Sequence, residues 1–236
     1  MTDPASKVRE ADESLSRAFG SPAWRPSGRP VEGLVRTILS QNTNDVNSGR
    51  AFDSLMRRFK TLDAVRRASE ASIEKAIRVG GLARIKSGRI KKILNGIAEK
   101  QGRLSLDYIA KMPVESALAE LESLDGVGPK TSRCVLLFDL GRPAFPVDTH
   151  ILRISTRLGL VPRNASLGRA HAILGPLVPL RSVYRFHVNL IRFGRTVCKA
   201  RDPKCNGCPL FDLCEYEGKW ERAEVREGSS SASRRS

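Results

Sequence analysis

The chain has 236 residues, and its 41 Lys and Arg against 25 Asp and Glu leave a formal net charge of +16. With 40% hydrophobic and 28% charged residues, the composition is that of a globular protein rather than a disordered one. The longest unbroken apolar run, Cys134 to Phe138, has five residues, whereas a membrane-spanning helix needs roughly 20. The N-terminal segment lacks an apolar stretch and carries Asp12 and Glu13, which argues against secretion or import.

The excess positive charge indicates a polyanionic partner, of which nucleic acid is the commonest. The segment from residue 78 to residue 92 holds six basic residues and no acidic one. This concentration is typical of a surface that contacts a phosphate backbone, and a solvated helix face is the alternative interpretation. The basic residues are Arg78, Arg84, Lys86, Arg89, Lys91 and Lys92.

Apolar residues recur at helical spacing through most of the chain, with members of each stripe three or four positions apart. In chain order these stripes cover residues 31–39, 51–59, 73–77, 90–97 and 114–121. No segment alternates apolar and polar residues between turn signals, as a strand would. The sequence therefore predicts an all-α protein, and residues 217–236 are expected to form a disordered tail.

The segment Leu124-Asp-Gly-Val-Gly-Pro-Lys-Thr-Ser132 follows an amphipathic helix. Proline is favoured at the first position of a helix, so Pro129 is expected to begin a second helix. The pattern therefore predicts a helix-hairpin-helix over about residues 114–139. Gly126, Val127 and Gly128 form its turn and are candidate DNA contacts, because glycines permit close approach and free amide N–H groups bind phosphate without reading sequence.

Four of the five cysteines, Cys198, Cys205, Cys208 and Cys214, lie within 17 residues in a C-x6-C-x2-C-x5-C pattern. A disulfide framework does not suit a chain without a secretory signal, so the pattern indicates a metal. The spacing is compatible with both zinc and an iron-sulfur cluster. Structural zinc sites usually combine two closely spaced cysteine pairs, whereas only Cys205 and Cys208 form such a pair here. Basic residues in this segment, including Arg201 and Lys204, are candidate phosphate contacts.

The motifs L-x-G-V-G-x-K-T and V-D-T-H-x-x-R, followed by the four cysteines, resemble the endonuclease III family of helix-hairpin-helix DNA glycosylases. The resemblance covers roughly residues 31–216. It implies two helical domains with a cleft between them, the first a six-helix barrel over residues 30–142. The second would combine residues 1–29 with 143–216 and hold a [4Fe-4S] cluster in the loop 198–214. It also implies catalytic roles for Lys130 in the hairpin and Asp148 in V-D-T-H.

The chemistry of these two residues can be argued separately. Breaking an N-glycosidic bond builds positive charge on the sugar, which a carboxylate such as Asp148 would stabilise. A lysine attacks C1′ only as the neutral amine, and at the ordinary lysine pKa of about 10.4 only about 1 in 2,500 is neutral at pH 7. Desolvation and the positive helix end near Pro129 are expected to reduce this handicap. The alternatives are a helix N-cap for Asp148 and a phosphate contact for Lys130.

A glycosylase must also extrude its target nucleotide and fill the gap. Leu82, which follows two glycines in the basic stretch, matches the family's intercalating loop, and a core leucine is the alternative. Gln41 and Asn42 are candidates for a second wedge. Ser40 and His150 are candidate pocket residues, with a structural role as the alternative for His150.

The resemblance has departures that bear on the substrate. Ala83 stands where many members have tyrosine, and Pro129 where many have a basic residue. Mismatch-directed adenine glycosylases typically have glutamate at the position of Thr37 and lack the hairpin lysine, and thymine-mismatch enzymes also usually lack that lysine.

The sequence thus predicts a bifunctional DNA glycosylase and abasic-site lyase of base excision repair that removes oxidised pyrimidines from duplex DNA. The alternatives are a lyase acting mainly on abasic sites or mismatched bases, and a non-catalytic protein that only binds DNA. We expect a cytoplasmic, nucleoid-associated monomer of prokaryotic type with no membrane contact.

Overall fold

A computed structural model describes residues 3–223, and within that range the chain is helical, without a β-strand. The predicted all-α class is therefore confirmed. No helix in this range is both long and apolar enough to cross a membrane. The α-helices are α1 (Pro4–Phe19), α2 (Pro30–Ser40), α3 (Asp45–Phe59), α4 (Leu62–Arg67), α5 (Glu70–Ile77), α6 (Ala83–Gln101), α7 (Val114–Glu122), α8 (Pro129–Cys134), α9 (Thr149–Arg157), α10 (Leu167–Leu177) and α11 (Val183–Thr196).

The chain divides into two compact units. One is the continuous segment Arg25–Ala144, which contains α2 to α8. The other combines the chain before and after it, and contains α1 together with α9, α10 and α11. Residues 25–29 and 143–144, which the sequence argument placed with the second domain, pack in the continuous unit.

The apolar stripes predicted from the sequence form one core in the continuous unit, with Leu34, Ile38 and Ile90 fully buried. Side-chain caps start several of these helices: the side chains of Asn44, Thr61 and Ser69 each accept a hydrogen bond from an amide three residues ahead. Such caps satisfy amides that have no partner within the helix. Periodic burial and capping together account for the helix bounds.

The buried Asp139 side chain, near the C-terminal end of the continuous unit, contacts residues near its N-terminal end. α8 runs on into a π-helical turn, Val135–Asp139. This turn places the Asp139 carboxylate against Gly33, so that a Cβ on Gly33 would lie only 1.8 Å from Asp139 Oδ2. The Ser27 hydroxyl donates to Asp139 Oδ1 at 2.5 Å. Burial raises the pKa of Asp139 to about 6, and the hydrogen bond from Ser27 opposes this. Glycine is therefore required at position 33 to leave room for the carboxylate.

In the other unit, α1 packs along α11 and buries Val8, Ala11 and Leu15. The Asp12 carboxylate is also buried, and Arg185 Nε donates to its Oδ1 at 3.1 Å. A buried carboxylate without a partner would be strongly unfavourable, so this ion pair makes the burial of Asp12 possible.

The predicted tail is partly ordered, which corrects the expectation for its first residues. A helical turn begins at Lys219, whose Nζ donates to the carbonyls of Phe211 and Cys214 at 2.9 and 2.6 Å. The same ammonium group lies over the Phe211 and Trp220 rings. The disorder expected from the low-complexity C-terminal end does not extend to residues 217–223, because the carbonyls of the cysteine loop provide partners for Lys219. The rest of the predicted tail, 224–236, lies outside the described residues.

Candidate functional site

The helix-hairpin-helix forms as predicted from residue 114, with α7, a turn over residues 123–128, and α8. Gly126 has φ +80°, a conformation that favours glycine. The two helices are joined by the Glu122 carboxylate, which accepts hydrogen bonds from Ser132 Oγ at 2.6 Å and Arg133 at 3.1 Å. The Val127 side chain is buried in the core, so only its backbone can contact DNA.

The start of α8 presents amide groups that can bind an anion. Pro129 occupies the first helical position, as predicted, and Gly128 precedes it. Among the described residues, the amides of Gly128, Lys130 and Thr131 have no hydrogen-bond acceptor. Free amides at a helix start are a ready phosphate site.

Lys130 lies on the first turn of α8, and its side chain is exposed. The desolvation expected from the sequence is therefore not supplied by the protein's own side chains, because the turn that carries Lys130 lies on the surface of its unit.

Leu82 lies at the surface and not in the core. Its side chain is 50% exposed, and its backbone has φ +49°, which is strained for a residue other than glycine. Val79 and Ile85 beside it are also exposed large apolar residues. The alternative interpretation of Leu82 as a core residue is wrong.

The other predicted loop follows α2. Asn42 is exposed with φ +52°, whereas Ser40 and Gln41 are half-buried. Ser40 Oγ donates to the Thr37 carbonyl at 2.8 Å, and Gln41 Oε1 accepts from Arg89 at 2.9 Å. In the sequence, Arg89 is recognisable only as a member of the basic stretch 78–92.

Asp148, which lies in the other unit, caps α9. Its Oδ1 accepts from the Ile151 amide at 2.8 Å, as the N-cap interpretation expects. Its second oxygen accepts no hydrogen bond from the described residues. The cap thus occupies one carboxylate oxygen and leaves the other for a different partner.

The four clustered cysteines lie in the same unit and line a single cavity, whose other walls are largely apolar side chains such as Ile154 and Phe193. In residues 3–223, no three His, Cys, Asp or Glu side chains are placed to hold one metal ion. Burial raises the pKa of Cys208 to about 11. Burial and the neighbouring cysteines also raise the pKa of Cys205 and Cys214. Thiolates in this cavity need a positively charged partner.

Two arginines one turn apart on α9 hold the start of the cysteine loop. Arg157 donates to Cys198 Sγ at 3.1 Å and to the Lys199 carbonyl at 2.9 Å. Arg153 donates to the Cys198 carbonyl through Nε and Nη2, at 3.1 and 2.9 Å. Sequence reasoning missed both roles, although Arg153 belongs to the V-D-T-H-x-x-R motif and Arg157 follows it at helical i, i+4 spacing.

His150 is bound to this network. Arg153 Nη2 lies 3.0 Å from His150 Nδ1, and because a guanidinium group can only donate, Nδ1 is the acceptor. This contact favours the structural interpretation of His150. Further along the loop, Arg201 and Lys204 are exposed and so are accessible to a partner.

Comparisons with known proteins match this arrangement. Residues 35–178, more than half of the chain, match the model of the HhH-GPD superfamily base excision DNA repair protein. Endonuclease III of Thermotoga maritima is 33% identical, over 84% of this chain and 88% of that protein. Endonuclease III of Bacillus subtilis is 34% identical, over 78% of this chain and 80% of that protein.

A solved structure of a non-covalent endonuclease III–DNA complex has the same fold. Its protein is 28% identical, with a TM-score of 0.76 over 97% of this chain and 100% of that one. The chain therefore belongs to the HhH-GPD superfamily of base excision DNA repair proteins, and within it to the endonuclease III-like DNA glycosylases and abasic-site lyases.

Proposed function

We propose that the chain excises oxidised pyrimidines from damaged duplex DNA and then cuts the strand 3′ to the abasic site through a lysine Schiff base. The observation that carries the lyase step is the exposed amine of Lys130 on the first turn of α8, directly after the hairpin glycines. An amine beside a phosphate-binding turn is in position to meet a sugar of the bound strand.

The hairpin would hold the strand by its backbone. The free amides of Gly128, Lys130 and Thr131 donate to one phosphate, and exposed cations such as Arg201 and Lys204 add contacts that do not depend on sequence. Leu82 would enter the base stack from its exposed position, with Gln41 or Asn42 filling the opposite side of the gap.

Asp148 would stabilise the positive charge that develops on the sugar as the base departs. Its cap bond to Ile151 fixes the carboxylate, while its second oxygen accepts no hydrogen bond from residues 3–223. A carboxylate that is oriented in this way needs no rearrangement in the transition state.

The neutral amine of Lys130 would then form a bond to C1′ as the bond from C1′ to the base breaks, and the base leaves with a proton. The ring opens to an iminium ion. Loss of a proton from C2′ breaks the bond between C3′ and its oxygen, which releases the downstream strand with a 5′ phosphate. Water then releases Lys130 from the remaining sugar.

We propose that Cys198, Cys205, Cys208 and Cys214, which line one cavity, would hold a [4Fe-4S] cluster. A cubane binds one thiolate at each iron, and the four cysteines line one cavity, which supports this assignment. When bound, such a cluster supplies positive iron that holds the four thiolates and a one-electron redox couple. Its binding would fix the loop that presents Arg201 and Lys204.

Borohydride trapping tests the nucleophile. Incubated with abasic duplex DNA and borohydride, the wild-type protein is expected to form a covalent adduct, because borohydride reduces an imine to a stable amine. Lys130→Gln is expected to form none, while Lys75→Gln, which changes an exposed lysine on α5, traps normally. An adduct that survives Lys130→Gln would contradict the assignment.

Substrate preference requires a second experiment. Duplexes with thymine glycol, dihydrouracil, mismatched thymine or a plain abasic site are compared under identical conditions. We expect the first two to be cut faster than the mismatch. Cleavage of the abasic duplex alone would favour the alternative of an abasic-site lyase, and binding without any cleavage would favour a non-catalytic protein.

A further inference from the structure

Lys86 is buried in the continuous unit in a way that lysines seldom are. Its side chain is 1% exposed and is among the largest fully buried side chains of the protein. None of the ion pairs within residues 3–223 includes it. Burial lowers the pKa of Lys86. Lysine is almost never fully buried unless paired, so the backbone groups around it must compensate.

Two carbonyl groups at the ends of two different helical elements provide that compensation. Lys86 Nζ donates to the Leu39 carbonyl and to the Gly80 carbonyl, both at 2.8 Å. Leu39 is the penultimate residue of α2, and Gly80 ends the 3-10 turn Arg78–Gly80. Carbonyls at a helix end carry partial negative charge and lack partners within the helix, which makes both suitable acceptors for an ammonium group.

Each of these carbonyls stands just before a segment that the proposed function places in the DNA. The Leu39 carbonyl precedes the loop with Gln41 and Asn42, and the Gly80 carbonyl precedes Leu82. The Lys86 amide also donates to the Leu82 carbonyl at 3.0 Å. Lys86 therefore fixes both sides of the strained, exposed Leu82 segment, and it ties that segment to the end of α2.

We propose that Lys86 is a positioning residue that holds the Leu82 segment and the Gln41–Asn42 loop at a fixed separation, so that both enter the duplex in one step. This inference rests on the proposed function, which assigns those two loops to strand opening. It makes no use of Lys86 as a nucleophile, because the buried amine cannot reach a sugar.

The test compares Lys86→Met with wild type on the same abasic site in duplex and in single-stranded DNA. Opening is followed separately by the fluorescence of 2-aminopurine next to the site. We expect Lys86→Met to reduce duplex cleavage and duplex opening by about 10- to 100-fold, as misplaced groups do. Cleavage and borohydride trapping of the single strand should be unchanged, because a single strand needs no opening.

Lys100→Met is the control. Lys100 lies on the same helix but outside the basic stretch, and its Nζ pairs with the Glu120 carboxylate at 2.6 Å. Glu120 does not adjoin either loop, so Lys100→Met should leave the ratio of duplex to single-strand cleavage unchanged. Lys86→Arg keeps the positive charge, but its longer, planar side chain cannot donate to the two carbonyls in the same geometry. If Lys86→Met does not fold, Lys86→Arg is compared with wild type on the same duplex and single-stranded DNA.

A double-mutant cycle with Leu82→Ala decides whether Lys86 acts through Leu82. If it does, Lys86→Met should reduce opening less in the Leu82→Ala background than in wild type. Equal effects in both backgrounds, or an equal loss on duplex and single strand, would overturn the proposal. Failure of the wild-type protein to trap any DNA would instead overturn the proposed function, while the fluorescence comparison would still test Lys86.

Discussion

Arg89 Nη1 donates a hydrogen bond to Gln41 Oε1 at 2.9 Å, while the stem of the same side chain lies against the hairpin. A Cβ on Gly126 would stand 3.4 Å from Arg89 Cδ. One exposed cation on α6 thus lies between the loop after α2 and the turn of the helix-hairpin-helix. Both of these elements are candidates for contact with DNA.

Arg89 is therefore expected to contribute one phosphate contact. Arg89→Met should weaken binding to duplex DNA and reduce the slope of log affinity against log salt by about 1, because one fewer counterion is released. Titrations at several salt concentrations measure the slope. Arg103→Met, which removes an exposed arginine after the C-terminal end of α6, is the control, and an unchanged slope in Arg89→Met would contradict the assignment.

Substitutions at Asp148 should separate its structural role from its chemical one. Asparagine caps a helix about as well as aspartate, so Asp148→Asn should change stability little, whereas Asp148→Ala should cost about 1 kcal/mol. Both variants lose the negative charge, and we expect base excision to fall by about 100-fold or more in each. Thermal unfolding and single-turnover excision measure the two effects. Full excision activity in a stable Asp148→Asn protein would rule out the electrostatic role.

Asp139 should make stability depend on pH. Its pKa rises from 3.8 to about 6 on folding, so the folded protein binds more protons than the unfolded chain between these values. The stability that this group contributes is present in full below about pH 4 and is lost as pH rises through about 6. Asp139→Asn cannot ionise, and above pH 6 it should be more stable than wild type by about 3 kcal/mol.

Urea unfolding of both proteins from pH 4.5 to 7.5 checks this sign. The stability difference between Asp139→Asn and wild type should grow up to about pH 6 and then level off. A difference that shrinks with rising pH would mean that the carboxylate is stabilised in the fold as an ion.

Arg157 should slow the loss of iron from the proposed cluster. Its hydrogen bond to Cys198 Sγ would stabilise a thiolate ligand, and the loss of such a supporting contact typically weakens metal binding by about 10- to 100-fold. Arg157→Met should therefore release iron to a chelator faster than wild type. Arg163→Met is the control, because among residues 3–223 Arg163 forms its ion pair with the exposed Glu217. Equal release rates, or a protein with zinc and no iron, would contradict the expectation.

The sequence predicted α2, α3, α5, α6 and α7 because burial in them repeats with the helical period. The stripe from residue 114 to residue 121 became α7, and Pro129 began α8 as its fixed φ favours. The burial of Lys86 could not be predicted in the same way, because its two acceptors come from segments that only folding brings together. The same reason applies to Gly33, whose lack of a side chain is explained by Asp139.

For the site, motif spacing selected the hairpin, Asp148 and the four cysteines as candidates. The contacts of Arg153 and Arg157 could not be predicted, because their acceptors lie more than 40 positions further along the chain. The two arginines matter because α9 lies beside the loop that begins at Cys198. The exposure of an individual side chain also could not be predicted from its residue type. Leu82 and Val127 are both apolar, yet Leu82 is exposed and Val127 lies in the core.

The division of the chain into a continuous unit and a split one affects how the protein is made. Asp12 on α1 and its partner Arg185 on α11 are 173 residues apart, and the whole segment Arg25–Ala144 is synthesised between them. During translation the apolar face of α1, with Val8, Ala11 and Leu15, leaves the ribosome long before α11 exists to cover it. The continuous unit can complete its core in the meantime. We therefore expect α1 to be the segment that chaperones engage in the nascent chain, until the synthesis of α11 closes the second unit.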